Sequence, residues 1–398
     1  MILIIGGGIS GLYTAYKLKK IYPHCSYCIF EKEETIGGRL GNESFYEATV
    51  VTGAGIGRQN KDHLLFSLLR KLHLTTRTFP IEYQYASTLS QKVDILSTLS
   101  LLQEKYRKRT NKSRISFRDF AFPVLGKKKY QDFLISCGYT DYEKEDIVDV
   151  FSYYGMEDNA GSSTGVVIPW KQLIETLADQ VGRENIVTSC NITRIEHIAS
   201  LYHLHTNKKE IYTGNQIVLA TPIHTIQRLL PTYVMYRQIH GQPFLRIYGK
   251  FTKASAQIMQ SYVFKTCIVP TDLQKISPID VAHGIYMIAY SDNLHARRLY
   301  KYINNTNENR LYLSKLVQDS LGIVNRLYLK GIRSFYWTIG THYYEPLHGS
   351  YRNRMDFIRH AQHPEKKIVV VGEAVSVHQG WTQGALESIE YAFAQKWI

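Results

Sequence analysis

Three glycines near the amino terminus have the spacing of a turn that lies close to phosphate. Gly6, Gly8 and Gly11 satisfy the pattern G-x-G-x-x-G, directly after the apolar run at 2–5. Gly6 permits a tight turn, Gly8 lets the backbone approach a pyrophosphate, and Gly11 lets the next helix pack closely on the strand. The start of that helix directs unpaired N–H groups and a partial positive charge toward the phosphates. The pattern therefore predicts a dinucleotide-binding turn.

An acidic residue follows at the distance expected for a ribose ligand. Glu31 comes 31 − 11 = 20 residues after Gly11, at the end of the predicted strand 26–31. Its carboxylate can accept hydrogen bonds from ribose hydroxyls, and it would repel a 2′-phosphate. The alternative is a glycine-rich turn beside a solvated Glu31. The motif alone does not choose between FAD and a nicotinamide cofactor.

The elements that must position these residues are predicted from apolar runs and helical spacing. Strands are predicted at 2–5, 26–31, 186–195, 217–222 and 368–371, and helices at 11–21, 170–182 and near the carboxyl terminus. In that last helix one apolar stripe is formed by Leu386, Ile389, Phe393 and Trp397. Because a strand, a crossover helix and a parallel strand begin a doubly wound sheet, the predicted fold class is α/β with a Rossmann-like domain.

Two intervening segments differ in composition and residue pattern from the rest of the chain. Segment 81–154 is basic, aromatic and helical in pattern, whereas 242–337 contains strand-like runs at 244–251, 284–290 and 331–337. The sequence therefore predicts a discontinuous cofactor domain and an inserted α+β substrate domain. The cofactor domain would be built from 1–80, 155–241 and 338–398, and the substrate domain from 81–154 and 242–337.

The composition is that of an ordinary globular protein with a basic surface. The chain has 398 residues, with 48 Lys and Arg against 34 Asp and Glu, a net charge of +14. At roughly 150 residues per domain, this length suggests two or three domains. A content of 44% hydrophobic and 21% charged residues excludes a disordered, collagen-like or disulfide-stapled chain. No membrane span is expected, because the uncharged stretch 1–16 is shorter than the roughly 20 residues required.

Cysteines, histidines and a basic stretch leave alternatives open. The five cysteines are sparse and odd in number, which favours a reducing compartment and a cytoplasmic location. Cys25 and Cys28 have the spacing of a redox motif, but they begin an apolar run, so packing is the alternative. The basic stretch 105–114 is either a solvated loop or a docking patch for nucleic acid, and no nucleic-acid-binding module accompanies it. His203 and His205 have no further ligands nearby in sequence, and no metal site is predicted.

Several segments together with the glycine turn resemble the flavin-containing amine oxidase superfamily. They are Ile36-Gly37-Gly38-Arg39, Thr52-Gly53-Ala54-Gly55, the helix–strand unit 169–195, Gly372-Glu373, and Gly380-Trp381-Thr382-Gln383-Gly384-Ala385-Leu386. This superfamily includes monoamine and polyamine oxidases, with protoporphyrinogen oxidase and phytoene desaturase as more distant relatives. The resemblance implies that the Rossmann-like domain binds FAD.

The resemblance also implies a place for each matched residue along an extended FAD. Arg39 would approach the pyrophosphate, Gly53 and Ala54 would line the flavin, and the backbone of Ile192 would meet the adenine. The closing helix would direct its positive end at the flavin pyrimidine. The full set of implied cofactor contacts is Gly6, Gly8, Ile9, Ser10, Gly11, Glu31, Lys32, Gly37, Gly38, Arg39, Gly53, Ala54, Ile192, Gly372, Glu373, Trp381, Thr382 and Ala385.

Departures from the superfamily's pattern concern the reacting centre. Thr341 stands where monoamine oxidases have a flavin-linking cysteine, so the resemblance implies non-covalent FAD. His342 and Trp381 stand at the two positions of the aromatic sandwich that faces the flavin, with simple packing as the alternative for either. Arg246 falls at the position of the usual active-site lysine, with Lys250 as the fallback. An arginine cannot act as a base, but it suits a carboxylate.

Three functions follow as hypotheses. The first is an FAD-dependent amine oxidase that transfers hydride from a C–H bond beside an amine nitrogen to flavin N5, with dioxygen as electron acceptor and hydrogen peroxide as product. The second is a flavin-dependent desaturase or oxidase of an apolar or ring substrate. The third is a flavoprotein with structural FAD that docks to another macromolecule through 105–114. In the first, Arg246, Lys250, His342 and Trp381 are the candidate catalytic residues, and a small-molecule amine or amino acid is the expected substrate.

Overall fold

The computed structural model describes residues 1–110, 114–156 and 163–395. Its strands are β1 Ile2–Ile5, β2 Tyr27–Phe30, β3 Asn42–Phe45, β4 Ala48–Val51, β5 Gly57–Arg58, β6 Arg77–Ile81, β7 Tyr83–Tyr85, β8 Ser163–Val167, β9 Ile186–Val187, β10 Ile192–Ile198, β11 Leu201–Thr206, β12 Ile211–Gly214, β13 Gln216–Leu219, β14 Ile239–Phe251, β15 Thr266–Ile268, β16 Lys275–Asp280, β17 Ile285–Asp292, β18 Leu329–Tyr344 and β19 Ile368–Val370. Its helices are α1 Ile9–Ile21, α2 His63–Lys71, α3 Ile95–Arg107, α4 Phe117–Leu125, α5 Lys127–Cys137, α6 Ile147–Asp149, α7 Trp170–Val181, α8 Ile223–Leu229, α9 Lys253–Tyr262, α10 Asn293–Leu299, α11 Asn307–Leu321, α12 Arg354–Gln362 and α13 Thr382–Ala394.

A parallel sheet in the order β19-β13-β1-β2-β9 forms the first layer. The apolar residues of β1 alternate between its two faces. Ile2 and Ile4 pack with α1, α2, α7 and α13, whereas Leu3 and Ile5 pack with α8 and α12. Burial of both faces explains why β1 is wholly apolar. The prediction of an α/β fold with a Rossmann-like parallel sheet is confirmed.

The predicted strand 186–195 is wrong, because the chain changes sheets within it. β9 lies at the edge of the parallel sheet, whereas β10 begins a separate antiparallel sheet with β11 and β12. Between them Ser189 has a positive φ of 50°. The N–H groups of Ser189 and Cys190 donate to the carbonyls of Glu33 and Glu31, which turns the chain across the end of β2.

A six-stranded sheet in the order β18-β14-β17-β16-β15-β7 forms the second layer. It contains the strand-like runs predicted at 244–251, 284–290 and 331–337, and α9, α10 and α11 share its apolar core. The helices α3 to α6 have a core of their own. β14 and β18 run without a break through the predicted boundaries at 241/242 and 337/338. The division into a cofactor domain and an inserted substrate domain stays a prediction.

The cysteine pair and the basic stretch have ordinary structural surroundings where they are described. The Cys25 and Cys28 side chains pack in different apolar clusters, on opposite sides of the parallel sheet. Burial raises the pKa of the Cys25 thiol and raises that of Cys28 to about 11, which disfavours a reactive thiolate. Lys108 pairs with Glu104. Arg114 donates to the carbonyls of Leu347 and Tyr351, while Lys112 lies outside the described residues, as does Trp397 of the predicted stripe.

Among the described residues, no helix combines the length and apolar character needed to cross a bilayer.

Candidate cofactor and substrate site

A cavity of about 1080 Å³ lies between the carboxyl ends of the parallel strands and the second sheet. This volume is at the upper end of the ~300–1,000 Å³ common for ligand pockets, so the cavity has room for a dinucleotide. The cavity is lined by all but two of the residues predicted for the site: Gly6, Gly8, Ile9, Ser10, Glu31, Lys32, Gly37, Gly38, Arg39, Gly53, Ala54, Ile192, Arg246, His342, Gly372, Glu373, Trp381, Thr382 and Ala385. Gly11 and Lys250 do not line it.

The three glycines of the turn are required for different reasons. Gly6 has a φ of +113°, which L side chains rarely adopt. A Cβ on Gly11 would lie 1.9 Å from the carbonyl oxygen of Gly6, so Gly11 serves helix–strand packing. Gly8 is different, because its backbone is extended (φ −77°, ψ −177°) and a Cβ there would meet nothing closer than 3.9 Å. The absence of a side chain at Gly8 therefore leaves space in the cavity and is not demanded by the chain itself.

Glu31 is fixed at the end of β2 by two backbone donors. Its Oε2 accepts the N–H of Gly7 at 2.8 Å, and its Oε1 accepts the N–H of Glu33 at 2.9 Å. Each carboxylate oxygen can accept a second hydrogen bond. A buried, oriented carboxylate at the cavity wall fits the vicinal hydroxyls of a ribose.

Arg39, Glu373 and His342 form one polar network beside the turn, in which Glu373 and His342 are buried and Arg39 is partly exposed. Arg39 Nη1 donates to Glu373 Oε1 and to the Gly340 carbonyl, both at 2.8 Å. Glu373 Oε1 also bonds Nδ1 of His342, and Oε2 accepts the Gly380 N–H at 2.8 Å. Burial alone would raise the pKa of Glu373, but His342, Arg39 and the Gly380 N–H outweigh it and hold that pKa below its ordinary value. The network fixes one edge of the Arg39 guanidinium at the cavity wall.

Both ring nitrogens of His342 form hydrogen bonds within the protein. Its Nε2 accepts the N–H of Ile223 at 3.1 Å, so the ring proton lies on Nδ1, toward Glu373. The ring is buried although the residue lines the cavity. A role for His342 toward a substrate stays a prediction, with simple packing as the alternative.

Arg246, Tyr248 and Lys250 lie on one face of β14, as the alternation predicts, but each contacts a different residue of segment 47–53. Arg246 Nε donates to the Gly53 carbonyl at 2.8 Å, and the Tyr248 hydroxyl donates to the Val51 carbonyl at 2.9 Å. Lys250 Nζ pairs with Glu47 Oε2 at 2.6 Å. Of these two candidates only Arg246 lines the cavity, because β4 and its flanking residues cover the end of the strand that carries Lys250. A catalytic role for Lys250 stays a prediction.

Trp381 stands at the start of α13, whose first turn faces the cavity. Its indole Nε1 donates to Asp62 Oδ1 at 2.8 Å, and its ring meets Trp170 edge to face at 6.0 Å between centroids. Thr382 and Ala385 line the cavity beside it. The N–H groups at the start of a helix carry a partial positive charge, so this end of the cavity favours developing negative charge. A role for Trp381 toward a substrate stays a prediction.

The Thr221 hydroxyl and four aromatic rings of the lining were missed by the sequence reasoning, whereas Thr341 was named there only for its place in the resemblance. The Oγ1 atoms of Thr221 and Thr341 are buried and, among the described residues, lack a hydrogen-bond partner. A bound ligand with polar atoms would satisfy them. The aromatic residues are Phe244, Tyr290, Tyr336 and Trp337. The only signal in the sequence was their place in the strand-like runs, since the facing of β14 and β18 depends on long-range register.

The residues present therefore fit a bound dinucleotide. Three features support this fit: the open space at Gly8, the oriented Glu31 carboxylate, and the hydroxyls of Thr221 and Thr341, which lack a partner among the described residues. The fold and this site define a dinucleotide-binding protein of the oxidoreductase kind. Residues 4–72 match a family model described as an NAD(P)-binding Rossmann-like domain. Over 98% of its length the chain is 24% identical to the uncharacterized protein R188 of Acanthamoeba polyphaga mimivirus, and the alignment covers 92% of that protein.

Behind the aromatic wall lies a lysine that the sequence did not single out. Lys275 is 2% exposed, and its Nζ has no hydrogen-bond partner among the described residues. The Nζ lies over the ring of Tyr139, 2.9 Å from the centroid. Desolvation lowers the pKa of Lys275 well below its ordinary value, despite the opposing charges of Asp292 and Asp141. A buried amine of this kind lowers the free energy of unfolding at any pH where the unfolded chain binds the proton and the folded chain does not.

Lys275→Met is therefore expected to stabilise the protein by roughly 1–3 kcal/mol near neutral pH, since it removes an unpaired buried amine. Because the folded pKa of Lys275 lies below the unfolded value of 10.5, the free-energy cost that Lys275 imposes on the wild type decreases as the pH rises toward that value. The advantage of the variant should then shrink as the pH approaches 10.5. Urea unfolding of both proteins across this range measures it, with the exposed Lys330→Met as control. A destabilised variant, or a pH-independent gain, would contradict the prediction.

Proposed function

We propose that this protein is an FAD-dependent oxidoreductase of the amine oxidase type. The observation that supports it is a single cavity lined by the glycine turn, Arg39, Gly53, Ala54 and the start of α13. Those are the segments whose pattern resembles the flavin-containing amine oxidases. The cavity continues beyond the pyrophosphate turn to the aromatic wall of the second sheet. An extended FAD with its ring system at that wall would contact all these residues together. In this proposal the FAD-binding domain is formed by segments 1–80, 155–241 and 338–398.

The protein's own residues would orient the reactants and exclude water. Bound flavin would supply the redox chemistry, accepting a hydride at N5 from the carbon beside a neutral amine nitrogen. The substrate then becomes an iminium ion, which water hydrolyses to a carbonyl compound and ammonium. Dioxygen, the proposed acceptor, takes up the two electrons with two protons and leaves as hydrogen peroxide. The start of α13 would favour negative charge at its end of the cavity, and the aromatic wall would hold the substrate there.

The first test is the colour of the purified protein and its response to amines. We expect a flavin absorption spectrum, and bleaching of that spectrum when amines or amino acids are added without oxygen. Readmission of air should restore the colour and produce hydrogen peroxide in equal amount to the carbonyl product. A colourless protein that takes up no FAD contradicts the cofactor, whereas bound flavin that no amine or amino acid bleaches contradicts amine chemistry.

The flavin is expected to be released intact when the protein is denatured. Thr341 stands at the place of the flavin-linking cysteine, and a threonine hydroxyl does not form the thioether. Acid precipitation should therefore leave the yellow FAD in the supernatant and a colourless pellet. Flavin that stays with the pellet, or a peptide heavier by the mass of FAD, would contradict a non-covalent cofactor.

A second candidate function is oxidation or desaturation of an apolar ring substrate. The four aromatic rings of the cavity wall favour it, because they offer a large apolar surface next to the proposed flavin. The two candidates differ in their products, since desaturation releases no ammonium. A cytoplasmic location remains part of the proposal and rests on the sparse cysteines.

A further inference from the structure

The cavity wall contains a buried cation to which the described residues supply no anion. Arg246 is 5% exposed and lines the cavity. Its guanidinium contacts are the Gly53 carbonyl, the Met287 sulfur at 3.2 Å, and the face of Tyr290, 4.0 Å from the guanidinium carbon to the ring centroid. Among the described residues no acidic side chain forms an ion pair with it.

Other buried cations of the chain are handled differently. Lys250, two residues further along β14, pairs with Glu47. Arg354 is equally buried, and it donates to Asp149 at 2.6 Å with Asp146 nearby. Lys275 lacks such a partner, but an amine can shed its proton when it is buried. A guanidinium cannot lose its proton in this way. Arg246 therefore keeps its positive charge at a cavity wall where no acidic side chain among the described residues balances it.

A carboxylate is the ligand that suits this arrangement. The planar guanidinium presents paired N–H donors that match the two oxygens of a carboxylate, and the bonds formed are charge-assisted. Two of its contacts, Gly53 and Tyr290, hold one edge and one face of the group and thereby fix its direction. The neighbouring lining is aromatic: Phe244, Tyr290, Tyr336 and Trp337.

We infer that Arg246 binds the carboxylate of the substrate. The substrate class is then amino acids with an apolar or aromatic side chain, rather than amines that lack a carboxylate. This inference rests on the proposed function and specifies its substrate. In the balanced reaction the α-carbon of a neutral α-amine would lose a hydride to the bound flavin, giving the iminium form of an imino acid, and dioxygen would then take up the two electrons. Water then converts the imino acid to a 2-oxo acid and ammonium.

The experiment compares binding of carboxylates with binding of neutral molecules of the same shape. The probes are 3-phenylpropionate against 3-phenylpropan-1-ol, 4-methylpentanoate against 4-methylpentan-1-ol, and benzoate against benzyl alcohol. Binding is measured by calorimetry on the protein as purified and by the shift of the flavin absorption spectrum without oxygen. In wild type, at least one carboxylate should bind about 10-fold or more tightly than its neutral partner, since a charge-assisted bidentate contact is lost in the partner.

Variants assign that preference to one side chain. Arg246→Met should remove the preference, whereas Arg333→Met should keep it, because Arg333 is an exposed arginine on β18 that pairs with Glu43. Arg246→Lys should retain part of this preference.

Should Arg246→Met fail to fold, the wild-type comparison of carboxylates with their neutral partners still decides. The inference is overturned if no carboxylate is preferred, or if the preference survives Arg246→Met. Bound flavin without carboxylate preference overturns this inference alone, whereas failure to bind flavin overturns the proposed cofactor, and calorimetry still reports on Arg246.

Discussion

Gly8→Val is expected to abolish binding of the proposed FAD while the protein stays folded. The backbone at Gly8 is extended, a conformation that valine prefers, and the nearest atom to a Cβ there is 3.9 Å away. The new side chain would occupy the cavity where the pyrophosphate would pass. We expect the affinity for FAD to fall by about 100-fold or more, because phosphate contacts with the start of α1 require close backbone approach.

Titration of the apoprotein with FAD, followed by flavin fluorescence and thermal unfolding, measures this effect. Gly8→Ala should give an intermediate loss. Gly331→Ala is a control outside the cavity, since its Cβ would lie 2.4 Å from the hydroxyl of Tyr46, an exposed side chain that can move aside. Gly11→Ala should instead prevent folding, because its Cβ would lie 1.9 Å from a backbone oxygen. A Gly8→Val protein that binds FAD normally would show that the cofactor does not lie along this turn.

The glycine turn and its surroundings could be predicted because their signals are local. The order strand, Gly6, Gly8, Gly11, helix and Glu31 occupies about thirty consecutive residues, and each position has a steric or electrostatic reason. The parallel strands were also recognisable, because strands buried on both faces are continuous apolar runs. The resemblance to flavin-containing amine oxidases supplied Arg39 and Glu373, which composition and periodicity alone would not have related to the turn.

Other features depend on contacts between distant parts of the chain. Alternation placed Arg246 and Lys250 on the same face of β14, but only the position of β4 decides that Lys250 meets Glu47 and not the cavity. The turn at Ser189 depends on carbonyls at the end of β2. Burial of Lys275 follows from the pairing of β16 with β15 and β17, which a single polar residue in a short strand does not indicate.

Glu373→Gln is expected to destabilise the protein by about 2 kcal/mol near neutral pH, because it removes a buried anion that accepts charge-assisted hydrogen bonds from the partly exposed Arg39 and from His342. The glutamine oxygen could still accept from Arg39 and His342, but its amide would then face the Gly380 N–H, donor against donor. Glu390→Gln is the control, since that carboxylate pairs with Lys17 at a more exposed position and should cost less than about 1 kcal/mol.

The pH dependence distinguishes this charge effect from a loss of packing. The folded pKa of Glu373 lies below its ordinary value of 4.5, so the unfolded chain binds the proton first as the pH falls. The stability that Glu373 contributes is therefore complete above about pH 5.5 and decreases as the pH falls through 4.5 toward the folded pKa. Urea unfolding should show wild type and Glu373→Gln far apart at neutral pH and closer together by about pH 3, because other carboxylates titrate alike in both proteins. A difference that stays constant over this range would mean that Glu373 acts through its shape and not through its charge.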